Sequence, residues 1–161
     1  MARRTICLAA MVALALGMAS APALAQGIRV CGAGAGVYPP NALFGGVRVS
    51  GFQFDFGVRI PGNGTALGQF QLTLTGTSAL GLKQNIEVEG QAATGSATAG
   101  LSSTFSGSVA IDLGNGTPPL TGVPFTLTIV ANPAGQGSAT LVLGATTLPV
   151  ATVNEGLITI K

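Results

Sequence analysis

The sequence predicts an all-β domain, an antiparallel two-sheet β-sandwich of about eight strands, with a small closed β-barrel as the alternative. Three observations predict it. Phe52-Gln53-Phe54-Asp55-Phe56-Gly57-Val58-Arg59-Ile60 alternates without interruption, apolar at even positions and polar or small at odd ones. That period of two belongs to a half-buried strand, because successive side chains point to opposite faces of a sheet. Alternation then returns between Gly-, Asn- and Pro-rich turns, and no segment after residue 25 shows sustained helical periodicity. Finally, 47% hydrophobic residues and 7% charge do not describe a disordered chain, which combines low hydrophobicity with high net charge.

In chain order, Arg3-Arg4, the apolar run Ile6–Gly17 and Ala23-Leu24-Ala25 before Gln26 form the pattern of a secretory signal peptide over residues 1–25, with cleavage after Ala25. The apolar run is shorter than the roughly 20 residues of a spanning helix, so no membrane anchor is expected. The expected destination is secreted or periplasmic. Without Arg3 and Arg4 the basic residues are Arg29, Arg48, Arg59, Lys83 and Lys161, against Asp55, Glu87, Glu89, Asp112 and Glu155. The mature chain is therefore neutral, with no run of basic residues to suit nucleic acid or an anionic membrane. It keeps one cysteine, Cys31, which excludes an internal disulfide. Burial is the expectation for that thiol.

Residues 26–46 read as a Gly/Pro-rich N-terminal segment, with a short edge strand at 27–31. Gly32-Ala33-Gly34-Ala35-Gly36 has the glycine spacing of a dinucleotide loop, but Val37-Tyr38-Pro39-Pro40 cannot open the helix that such a loop requires. A flexible linker is the reading. The β-domain is assigned to 47–161. Apolar positions are odd from Val47 and even from Phe52, a change of phase that a β-bulge or a tight corner at Gly51 accommodates. Asn63-Gly64 supplies the positive φ of a hairpin turn, and the chain returns through Phe70, Leu72 and Leu74. Ile86 and Val88 mark the next strand, with Glu87 and Glu89 outward. Residues 92–99 read as a thin strand of small residues. Phe105–Leu113, Val123–Ile129 and Ala139–Leu143 follow, then a short edge piece at Leu148-Pro149-Val150 and a closing strand from Gly156. Gly62-Asn63-Gly64-Thr65 recurs as Gly114-Asn115-Gly116-Thr117, one turn chemistry used twice.

The chain has no histidine, which excludes Ser-His-Asp and Cys-His arrangements and His-bearing metal sites. No catalytic, cofactor-binding or metal residues are assigned, and no cofactor is expected. Glu87 and Glu89 lie about 7 Å apart on one strand face, within the range of glycosidase carboxylate pairs. A solvated face is the plainer reading, since the aromatic residues that would form a sugar platform are taken by the core. Asp55 and Arg59 lie about 13 Å apart along one strand and are expected to meet neighbouring strands rather than each other.

From about Asn41 onward, the Phe52–Phe56 strand, Gly68-Gln69-Phe70-Gln71-Leu72, Val123–Ile129 and Gly156-Leu157-Ile158-Thr159-Ile160 resemble the exported bacterial β domains called post-COAP domains. That resemblance implies an exported β domain and carries no activity with it. The expected function is a non-catalytic structural or binding module at the cell surface or in the periplasm. Its partner is left open; the candidates are another copy of the chain, joined by strand addition along Thr- and Gln-rich strands, and a surface glycan. The alternatives are a carbohydrate-acting enzyme using Glu87 and Glu89, a carbohydrate- or lipid-binding module, and a small outer-membrane barrel.

Overall fold

A computed structural model describes residues 27–161. The predicted signal peptide, 1–25, lies outside the described residues. Ten strands follow in order: β1 (Ile28–Val37), β2 (Leu43–Phe44), β3 (Val47–Ile60), β4 (Thr65–Thr77), β5 (Lys83–Thr98), β6 (Ser102–Asp112), β7 (Leu120–Ala131), β8 (Gly137–Leu143), β9 (Thr146–Thr147) and β10 (Ala151–Ile160). The all-β antiparallel class is as predicted. Leaving out the two-residue strands β2 and β9, eight long strands remain.

These eight belong to one sheet. Consecutive strands from β3 to β8 pair as hairpin neighbours, β10 follows β8, and β1 pairs with both β10 and β3. The pairing therefore returns to its starting strand and the sheet is ring-like. The two layers expected of a sandwich are opposite walls of this one sheet, facing a common core. That core follows from alternation: the inward row of β3 is Phe52, Phe54, Phe56, Val58 and Ile60, and Phe70, Leu72, Leu74, Phe105, Phe125 and Leu127 come from the walls beside and opposite. All seven phenylalanines and Tyr38 are buried. All these rings but that of Phe44 join in a continuous chain, Tyr38–Phe52–Phe54–Phe56–Phe105, which meets a stacked Phe70–Phe125 pair with centroids 5.1 Å apart. Between them remains a cavity of about 20 Å³, room for about one water.

The glycine run expected to be a linker is the middle of β1. Gly32, Gly34 and Gly36 stand in register with Phe56, Phe54 and Phe52. A Cβ on Gly32 would lie 2.6 Å from the Phe56 ring, and one on Gly36 2.4 Å from the Phe52 ring. Gly32 and Gly36 leave the space that the phenylalanine rings occupy, whereas a Cβ on Gly34 would meet the Glu155 carbonyl of β10. Cys31, expected inside, is exposed. It lies between inward-facing Val30 and Gly32, so strand alternation turns its thiol outward.

Gly51 marks a shift of the β3–β4 register within one continuous strand, which favours the bulge over the corner. The β3–β4 hairpin closes at Asn63-Gly64 as predicted. The strand beginning at Lys83 and the thin strand after it are one element, β5, with a register shift between Ala92 and Thr94. The expected edge piece at 148–150 is displaced to Thr146–Thr147, and Leu148 N–H donates to the Leu141 carbonyl.

Candidate functional surface

Because side chains fill the interior, the outward residues are those able to meet another molecule. Glu87 and Glu89 are both exposed on β5. Glu87 stands in register with Thr73 and Asp112, and Glu89 with Gln71 and Ala110. The pair occupies an open sheet face flanked by short polar side chains and a third acid. With every phenylalanine buried, no Phe is available there as a sugar platform. Among the described residues no three His, Cys, Asp or Glu side chains gather as a cation site.

Asp55 and Arg59 do meet neighbouring strands, though not opposite charges. Asp55 faces Ala33 and Gln71; Arg59 faces Arg29 and Leu67. The Thr- and Gln-rich strands β4 and β7, expected to offer edges, are paired on both sides. The incomplete pairing lies elsewhere. β10 matches β8 only at Ala151, Thr152 and Val153, while β1 matches β10 from Val30 to Val37. Below Val153 the β8 side of β10 is met by isolated contacts: Gln136 Nε2 donates to Asn154 O, Ile158 N–H to Gly135 O, and Gly100 N–H to Ile160 O.

One grouping was not visible in the sequence. Arg29 and Lys161 exchange both backbone hydrogen bonds, N to O 2.5 Å and 2.9 Å, and Arg29 is also in register with Arg59. Lys161, just past the end of β10, thus forms a cationic row with Arg29 on β1 and Arg59 on β3, all exposed. The three residues are far apart in the chain, so no local pattern could have announced the row. An open recess of about 420 Å³ lies next to it at the same end of the ring, lined by Ile28, Ile60, Gly62 and Ala97 among others. No charged side chain lines that recess.

Comparison with protein-family models, with curated proteins and with solved structures finds no match. Function is therefore argued from this chain's own residues.

Proposed function

We propose that the chain is an exported, non-catalytic β module with a structural or binding role at the cell surface or in the periplasm, and that it self-associates. The observation that carries this reading is the packed interior: the described ring closes on phenylalanine side chains, and the cavity between them is about 20 Å³. Recognition then falls to the outer surface. Export is supported by the N-terminal pattern of Arg3-Arg4, the apolar run and Ala23-Leu24-Ala25, and agrees with the resemblance to post-COAP domains. The outward positions of β3 include Arg48, Gln53, Asp55 and Arg59, a poor face for lipid, which argues against an outer-membrane barrel.

Strand addition belongs at the stretch of β10 from Asn154 to Ile160, because the other long strands have both edges occupied over most of their length. Sedimentation velocity of the mature chain over a wide concentration range tests the reading. Reversible growth in mass supports self-association, and monomer throughout overturns it.

A further inference from the structure

The outer surface gathers three cations at one end of the ring and three acids on β5 and β6, with Asp55 as a single charge between them and Lys83 as another beyond Glu87 on β5. Lys161 just past β10, Arg29 on β1 and Arg59 on β3 lie side by side, with Leu67 next in the row and 66% exposed. Because Arg29 spends its N–H and C=O on Lys161, its match with Arg59 is of the non-hydrogen-bonded kind, with Cα atoms only about 4.5 Å apart. No acid is in register with either arginine. On β5 and β6, Glu87 is in register with Asp112, and Glu89 follows on the same face; none of the three has a cation as ladder partner. Like charges directly opposite each other destabilise a sheet, and here Arg29 stands opposite both Lys161 and Arg59 while Glu87 stands opposite Asp112. The two groups do not neutralise each other within the molecule. Along β3, Arg59 is four residues from Asp55, whose row leads through Gln71 to Glu89, about 13 Å by strand rise, and six from Gln53, whose row leads through Thr73 to Glu87, about 20 Å. Both separations exceed the Debye length of about 8 Å at physiological ionic strength.

We propose that the cationic row of Lys161, Arg29 and Arg59 docks on the acidic face of a second copy of this chain, around its Glu87, Glu89 and Asp112. This rests on the reading of the chain as self-associating and names the surfaces. The argument for a second copy is charge complementarity: the unmatched cations and the unmatched acids are displayed by one and the same chain, whose mature form is neutral. The two surfaces differ, so the contact is heterologous and repeats from copy to copy.

Sedimentation velocity on the mature chain tests this at salt concentrations of about 0.01 M and about 1 M, where the Debye length falls from about 30 Å to about 3 Å. Two variants accompany the wild type, Arg29→Glu with Arg59→Glu, and Glu87→Lys with Glu89→Lys. All these positions are solvent-exposed, and thermal unfolding checks that each variant is folded. Arg29→Gln with Arg59→Gln replaces the first if it fails to fold. The expected result is association at low salt that weakens at least tenfold at high salt. Each reversed variant alone stays monomeric, and an equimolar mixture of the two associates again. Association insensitive to salt and to charge reversal overturns the proposal while leaving strand addition along β10 in place. Wild-type association with a mixture that stays monomeric overturns the assigned surfaces. Monomer under every condition overturns the proposal and the self-association reading together.

Discussion

Gly36 and Gly57 have the same side chain and opposite roles. A Cβ at Gly36 would sit 2.3 Å from the Thr152 carbonyl oxygen and 2.4 Å from the Phe52 ring. At Gly57 it would meet nothing within 4 Å. Gly36→Ala is expected to cost about 1–3 kcal/mol through overpacking. Gly57→Ala should stabilise by about 0.4–1 kcal/mol by restricting the unfolded chain. Urea unfolding of the two variants checks both signs. Tyr38 offers a second test at this scale. It closes one end of the aromatic chain against Phe52, with ring centroids 5.3 Å apart, and burial pushes its phenol well above the ordinary value. The folded state holds a proton that the unfolded state releases above pH of about 10, so stability falls as pH rises beyond that point. Tyr38→Phe should remove that part of the fall, read by comparing thermal melts of the two proteins on either side of pH 10. Tyr38 is the only tyrosine, so a phenolate absorbance titration of the wild type reports on it alone.

At the scale of elements, the Asn-Gly-Thr part of the repeated motif builds the same local structure twice, while the first glycine differs, with φ 66° at Gly114 and no positive φ at Gly62. In each copy the Thr hydroxyl and backbone N–H donate to the Asn Oδ1, at 2.7 and 3.2 Å for Thr65 to Asn63 and 2.6 and 3.0 Å for Thr117 to Asn115. The second glycine has a φ of 82° in both. Side chains disfavour that conformation by about 1–2 kcal/mol, so Gly64→Ala and Gly116→Ala are each expected to lose that much. Near-equal shifts of the denaturation midpoint would confirm that the turns are equivalent. The strands themselves were legible wherever one apolar face alternates with polar residues, as in β3, β4 and β7. β1 was not legible. Its inward positions are glycines, and a strand whose inner face is space for a neighbour's rings has no hydrophobic period to read. The same reason hid the position of Cys31, since the phase of β1 is set only by Val30 and by the rings of β3.

For the whole molecule, closure of the ring is uneven. On β10 the residues facing β1 alternate with those facing β8, and β8 matches only Ala151 to Val153. Since Arg29 and Lys161 exchange both bonds, the matches Cys31 with Thr159 and Ala33 with Leu157 are hydrogen-bonded in the same way. Gly156 and Ile160 point to the other side, where no ladder continues. Their amides are expected to exchange with solvent roughly tenfold or more faster than those of Leu157 and Thr159, as measured by native-state hydrogen exchange. Uniform protection along β10 would mean that the seam is as tightly closed as the other pairings.

The sequence by itself determined the all-β class, the inward faces of the long central strands, and the turns at Asn63-Gly64 and Asn115-Gly116. It also limited the chemistry, since a chain without histidine cannot assemble a histidine-bearing site. These properties follow from local rules, a period of two and the φ angles open to glycine. Only the tertiary structure decided that β1 bridges β10 and β3 to close the ring. It alone turned Cys31 outward and set Lys161, Arg29 and Arg59 side by side. Pairing between strands distant in the chain depends on which rings fit over which glycines and on where a sheet finds its last edge. Those are properties of the packed core that no stretch of sequence carries alone.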